Sequence, residues 1–268
     1  MEWATVSTFA WGGETPLPTR LTLGLDLGKI SDYTALAIVE ERPERVNEQF
    51  NRAAVIPIWG DDPDFTVPWL KRWPLHTAYH DIAKEVAALV AQLSGRAGTE
   101  IALCVDATGV GVAVLEILLA QDAIATLANA SGFRAITITA GDQVTDEYQY
   151  SSPHRCSYRS YHVPKKDLVG LAQAALQRQK IKVSDQLAEA AALMKELREF
   201  EYAMTESANL VYRGGKGSHD DLVLACAIGL WGSRQRPAIA YTSNYRTSND
   251  RGDIPPYGTG VRPYGQRR

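Results

Sequence analysis

The chain has 268 residues, 45% of them hydrophobic and 22% charged, the ordinary balance of a soluble globular protein. No apolar run reaches the roughly 18–20 residues that span a bilayer, so no membrane segment is expected. Three cysteines with no CxxC pair and no Cys/His metal spacing argue against zinc and for buried free thiols in a reducing cytosol.

The formal net charge of −3 is unevenly spread. From Gly232 onward seven arginines face two aspartates, which gives the tail a net charge of +5 and leaves the body at −8. Overall charge therefore gives no support for nucleic-acid binding, and it does not oppose it, because a carboxylate-rich site needs cations before a phosphate can approach.

Residues 1–20 hold Trp3, Trp11, Gly12, Gly13, Pro16 and Pro18 without a basic region followed by an apolar stretch, and read as an arm, not a signal peptide. Leu21–Leu27 and Tyr33–Glu40 are rich in Leu, Ile and Val and read as strands, with GKISD supplying the turn. Ala53–Trp59 is the expected third strand, weakened or moved to an edge by Pro57. Three strands in succession suggest an antiparallel meander.

The period then changes. Ile82, Val86, Leu89, Val90 and Leu93 recur at helical spacing over His80–Leu93, and Ser94-Gly95 ends that helix. Ile101–Val105 reads as a buried strand, followed by a Gly-rich turn and a helix from about Val112 to Ala120; Phe133–Thr139 alternates as a strand. This alternation is what a parallel portion of a sheet requires. Arg155 and Arg159 fall in a Ser/Tyr-rich segment expected to be mobile. Pro164 suits the first turn of a helix continuing through Leu168, Leu171, Ala175 and Leu176. Gln186–Glu199 reads as a helix with Leu187, Ala191, Met194 and Leu197 on its buried face; Phe200–Met204 and Asn209–Tyr212 read as a hairpin. Asp221–Trp231 is an apolar last helix, and residues 233–268 form a basic tail expected to be disordered. The chain is thus expected to be one α/β domain over 21–232.

Four aspartates carry the chemistry. Asp26 lies inside the apolar run LGLDLG, where a carboxylate is costly unless paired or bound to a cation; its plain alternative is a turn residue accepting the Gly28 and Lys29 amides. Asp106 ends IALCVD, at the strand terminus where ligands gather in open α/β sheets, or it makes an Asx-turn there. Asp220 and Asp221 open the last helix, as site acids or as N-terminal caps that also complement the dipole. His219 beside them is a ligand, an outer group steering the ligands, or a loop residue. Converging carboxylates would form a hard oxygen cluster suited to Mg²⁺ or Mn²⁺. Two such ions cut phosphodiesters without a histidine base. Lys165 and Lys166 at a helix start, with Arg213 and Lys216 before the last helix, are candidate DNA phosphate contacts.

GLDLGKISDYTALAIVE, VDATGVGVAVLEILL, PKKDLVGLAQAALQRQKIKV and KGSHDDLVLACAIGLW occur in the order found in the nuclease domain of tailed-phage terminase large subunits, which residues 20–232 resemble. The resemblance implies a ribonuclease H-like fold, α/β, whose mixed sheet (antiparallel meander plus parallel strands) is flanked by helices. It also implies that Asp26, Asp106 and the Asp220/Asp221 pair bind two Mg²⁺ or Mn²⁺ ions, with Asp26, Asp106 and Asp221 catalytic. The implied activity is endonucleolytic cutting of concatemeric double-stranded viral DNA during packaging in the host cytoplasm. Portal and terminase small subunit are the implied partners. No GxxxxGK[ST] motif is present, so an ATPase would be a separate or missing domain. Competing readings are a Holliday-junction resolvase or transposase-type nuclease, an actin-like or sugar-kinase ATPase suggested by the first loop, and a non-catalytic packaging module.

Overall fold

In the computed structural model the described residues are 19–28, 32–42, 45–51, 54–59, 63–109, 111–204, 210–214 and 220–235. The arm before residue 19 and the tail from residue 236 lie outside them.

Alternation along β1 (Thr19–Asp26) organises the protein. Leu21, Leu23 and Leu25 point into one half of the core, and Thr22, Gly24 and Asp26 point to the opposite face, as a period of two requires. β2 (Ala35–Arg42) pairs antiparallel with β1. β3 (Arg45–Asn51) and β4 (Ala54–Trp59) then form a separate two-stranded ribbon. The third strand of the meander is instead β5 (Asp64–Arg72), antiparallel to β2 with a register shift between Ile38 and Glu40. Ala53–Trp59 is therefore not the third strand of the main sheet. Its apolar run pairs locally with the segment just before it.

Helix α1 (Tyr79–Ser94) buries Ile82, Val86, Leu89, Val90 and Leu93, the expected face. β6 (Thr99–Asp106) lies parallel to β1 on the side away from β2. Helices α2 (Gly111–Leu119) and α3 (Asp122–Asn129) lead to β7 (Phe133–Thr139), parallel to β6. β8 (Thr145–Ser151) and β9 (Cys156–Pro164) form a hairpin, and β9 pairs parallel with β7. The segment carrying Arg155 and Arg159 is thus built into this hairpin. Ser151 Oγ donates to Glu116 Oε2 at 2.9 Å and His154 Nε2 lies 3.0 Å from the same oxygen, which ties the hairpin turn to α2.

Helix α4 (Lys165–Gln177) begins directly after Pro164, which is its N-cap. The short β10 (Ile181–Val183) closes the far edge against β5. Helix α5 (Ala190–Glu199) precedes the hairpin β11 (Phe200–Met204) and β12 (Leu210–Gly214). The buried face of α5 is Ala190, Leu193 and Glu196, whereas Met194 is exposed, so the helix is rotated from the expected face. The last helix is α6 (Asp221–Arg234).

Among the described residues the main sheet has eight strands in the order β10-β5-β2-β1-β6-β7-β9-β8, and its mixed antiparallel and parallel pairing is as expected. One face carries α1, α2 and α3 over Leu23, Leu25, Leu103, Val105 and Phe133. The other carries α4, α5 and α6 over Ala37, Val39, Cys104 and Ile136. Cys104, Cys156 and Cys226 are buried thiols outside any disulfide, as expected. No single helix among the described residues is long and apolar enough to cross a membrane.

Helix α6 has no polar face because it is enclosed, with Asp221 through Ser233 all buried. It lies on β1 through small residues. A Cβ on Gly24 would stand 2.1 Å from the Ala225 carbonyl and 2.5 Å from the Gly229 amide nitrogen; one on Gly232 would meet Cys104 Sγ at 2.3 Å and Thr22 Cγ2 at 3.0 Å. The helix therefore runs back along β1, with Gly232 near Thr22 and Ala225 near Gly24. One more helical turn, about 6 Å, covers nearly the same length as two strand residues, about 7 Å. The first helical residue, Asp221, accordingly arrives at Asp26.

Candidate metal centre

Asp26 and Asp106 occupy equivalent places on adjacent parallel strands, each one residue past the register pair Leu25–Val105. Both point to the α6 face, and both are buried, as is Asp221: their exposures are 7%, 8% and 4%. Burial pushes the Asp26 carboxyl well above the ordinary carboxylate range, and the charges of Asp106, Asp221 and Asp220 push it further. A hydrogen bond joins the Asp26 and Asp106 side chains. Strands and helix thus bring all four sequence-selected aspartates to one place.

Asp106 is also raised by burial, but Thr108 opposes the shift with side-chain and backbone hydrogen bonds, and Lys165 opposes it by charge. The Thr108 amide donates to Asp106 Oδ1 at 2.7 Å. The Thr108 hydroxyl in turn accepts from the Ile138 amide at 2.7 Å, pinning the turn to β7. Asp106 is therefore both an Asx-turn residue and a member of the cluster, and the turn is what aims it. For Asp26 the turn reading fails in part: the Gly28 amide donates to Thr34 Oγ1 at 3.1 Å, while the Gly28 carbonyl accepts from Tyr79 Oη at 2.7 Å.

Asp220 is the N-cap residue of α6, yet its side chain makes no capping hydrogen bond. It meets Lys165 Nζ at 3.1 Å instead. Lys165, from the first turn of α4, therefore belongs to the cluster. Lys166 pairs with Asp142 in the β7–β8 connection. Arg213 lies on β12 opposite Glu201. Lys216, a candidate phosphate contact, and His219, a candidate ligand or outer group, lie outside the described residues.

The amides that Asp220 leaves unserved are taken by Glu196 of α5, a residue sequence reasoning missed. Its Oε2 accepts from Leu222 at 2.9 Å and from Val223 at 3.2 Å, while its other oxygen pairs with Arg72 of β5. A helical phase through Ala190 and Leu193 would have placed Glu196 inside, but the apolar residues of the other phase masked it.

The donor set is acidic and all oxygen, with Asp26, Asp106 and Asp221 buried and Asp220 half-buried, which fits a hard divalent cation and not a soft one. Among the described residues no group of three or more His, Cys, Asp and Glu side chains stands so that it could hold a metal ion as it is. Asp26 and Asp106 are bonded to each other, and Asp220 is held by Lys165. Metal loading would have to replace these contacts.

Residues 23–230 match the family model described as the terminase RNaseH-like domain. The chain belongs to this terminase family. The domain also resembles solved terminase nucleases at low identity. The large terminase nuclease of thermophilic phage G20c with bound magnesium is 19% identical with a TM-score of 0.49, over 80% of this chain and 81% of that one. The nuclease domain of Thermus phage P74-26 is 16% identical with a TM-score of 0.45, over 79% and 78%. The manganese-soaked human cytomegalovirus terminase nuclease domain is 13% identical with a TM-score of 0.41, over 78% and 82%. No curated protein matches the chain. The family match carries the assignment, and with it the ribonuclease H-like description of the terminase sheet.

Proposed function

We propose that this terminase domain is a divalent-metal-dependent endodeoxyribonuclease that cuts concatemeric double-stranded DNA during viral genome packaging. The observation that carries the reading is the convergence of buried Asp26, Asp106 and Asp221 with the half-buried Asp220 from three separate elements. A structural role does not account for so much buried like charge, whereas a cation site does.

In this reading Asp26, Asp106 and Asp221, with Asp220, hold two Mg²⁺ or Mn²⁺ ions. Such ions, when bound, activate a water for attack on phosphorus and stabilise the departing 3′ oxygen. The chain's own residues prepare that chemistry. The Thr108 amide keeps Asp106 turned toward Asp26. Burial and the neighbouring acids favour the protonated form of Asp26, so cation loading would favour its charged form and release protons. Lys165 exchanges its bond to Asp220 for the phosphate of the DNA strand, and contributes affinity without sequence choice. DNA is the substrate, in the host cytoplasm. A portal, a small subunit and an ATPase carried on another domain or chain are the partners of the packaging complex.

The test is cleavage of supercoiled plasmid with Mn²⁺ or Mg²⁺ and no ATP. Nicking followed by linearisation is expected, with little sequence preference. Asp26→Ala and Asp106→Ala should each abolish it while circular dichroism stays that of the folded protein. ATP hydrolysis without cleavage, or full cleavage by Asp106→Ala, would remove the reading.

A further inference from the structure

We infer that Glu196, which lies outside the acidic cluster, is a positioning residue for it: by capping α6 from a neighbouring helix it holds Asp221 at Asp26 and releases the Asp220 side chain to the site. This inference rests on the nuclease reading above and adds a residue to it.

The first amides of a helix have no acceptor within the helix, and an aspartate at the N-cap ordinarily supplies one to the second or third helical residue. In α6 those residues are Leu222 and Val223, and Asp220 stands at the N-cap. Asp220 does not bond them. Both amides donate to one oxygen of Glu196, at 2.9 and 3.2 Å. Glu196 is buried and comes from the inward face of α5. Its second oxygen pairs with Arg72, whose guanidinium carbon sits 5.2 Å over the Tyr33 ring. The cap therefore comes from α5 and not from α6 itself, and it fixes where the first turn of α6 comes to rest.

Two consequences follow for the cluster. Asp221 immediately precedes the anchored Leu222, so the anchor sets the approach of its carboxylate to Asp26. Asp220, relieved of capping, reaches Lys165. Without Glu196 the Asp220 carboxylate is the nearest substitute acceptor for the orphaned amides, and using it there withdraws one donor from the site.

Reach and charge can be separated by two conservative variants of the full chain. Glu196→Gln keeps an acceptor oxygen at the same length and loses the charge on Arg72. Glu196→Asp keeps the charge and falls one methylene short of the amides. Mn²⁺ affinity is read by electron paramagnetic resonance of free Mn²⁺, and the first turn of α6 by hydrogen exchange over Leu222 and Val223 without metal. Positioning by reach requires Gln to match the wild type in both measurements. It requires Asp to exchange faster at these amides and to bind Mn²⁺ about 10–100-fold more weakly, the usual scale for losing a residue that orients metal ligands. The reverse order, with Asp near wild type and Gln impaired, makes Glu196 an ion-pair partner only and overturns the inference. So does equal Mn²⁺ affinity and equal exchange in all three proteins. A wild type that binds no Mn²⁺ instead overturns the nuclease reading itself, and the positioning role with it.

Discussion

The Asp26 and Asp106 carboxyl groups, on adjacent parallel strands, hydrogen-bond each other across the end of the sheet. Neither would be chosen for stability. Burial and the nearby negative charges both penalise Asp26, and the arrangement persists because the strands and α6 are packed by other means. Asn at position 26 keeps the shape, can donate to Asp106, and removes one charge. Asp26→Asn is therefore expected to raise the melting temperature of metal-free protein by about 2–4 °C and to abolish plasmid cleavage. Mn²⁺ should stabilise the wild type in differential scanning calorimetry and leave Asp26→Asn unchanged. Equal destabilisation of the variant would mean that the carboxyl pair contributes to the fold.

Gly24 makes the approach of α6 possible, since any side chain there would overlap the helix backbone at Ala225 and Gly229. The obstruction is a Cβ against backbone atoms and cannot be relieved by a rotamer change. Gly24→Ala should destabilise the domain by about 3 kcal/mol or more in urea titration. It should also impair cleavage in whatever fraction stays folded, because lifting α6 moves Asp221 away from Asp26. A variant with wild-type stability would show that the helix can shift without cost.

Much of this arrangement was legible in the sequence. An aspartate inside LGLDLG or at the end of IALCVD stands out because the residues around it are apolar, and strand alternation fixes which face it takes. The enclosed last helix announced itself by having no polar side. Other parts were hidden for physical reasons. Ala53–Trp59 is more evenly apolar than Asp64–Arg72, yet the latter joins the sheet. Its alternation is broken where the β2 register shifts, so Phe65, Val67 and Leu70 do not form one simple series. The hairpin of β8 and β9 lies at the sheet edge, where exposed Tyr148 and Tyr150 give no apolar period. Glu196 was lost because α5 offers two helical phases, and the one with Met194 looks more hydrophobic than the one that is buried. Nothing local could reveal that Asp220 would leave its capping place, since that depends on a residue of another helix.

Cys226 faces the core from the middle of α6, and burial pushes its thiol up to about 12. Thiolate is the reactive form, so the sign is simple: raising the pKa lowers the reactive fraction at any working pH. At pH 8 that fraction is roughly one in ten thousand, against about a quarter for an ordinary thiol. Cys104 and Cys156 are buried as well. Native protein is expected to resist a thiol-specific chromogenic reagent at pH 8 for hours, and to react at all three cysteines on unfolding in guanidinium. Rapid labelling of Cys226 in the native protein would show that α6 opens readily, and would count against a rigid Asp221.

Lys165 acts on the cluster in two opposed ways, and the opposition makes it testable. Its ammonium neutralises Asp220 at 3.1 Å and favours the charged form of Asp106, so it competes with any cation for the same carboxylates. In the nuclease reading it also meets the phosphate of the bound strand. Lys165→Ala should therefore bind Mn²⁺ more tightly than the wild type, since the carboxylates lose a rival for the cation. Its cleavage rate at saturating Mn²⁺ should nevertheless fall, by on the order of 10²-fold if the ammonium stabilises charge in the transition state. Arginine at this position is bulkier and carries a planar fork, so Lys165→Arg should restore the charge without full activity. Calorimetric titration of Mn²⁺ beside single-turnover cleavage separates the two effects. Metal affinity and cleavage that fall together would mean that Lys165 holds the carboxylates in place, and does not compete for them.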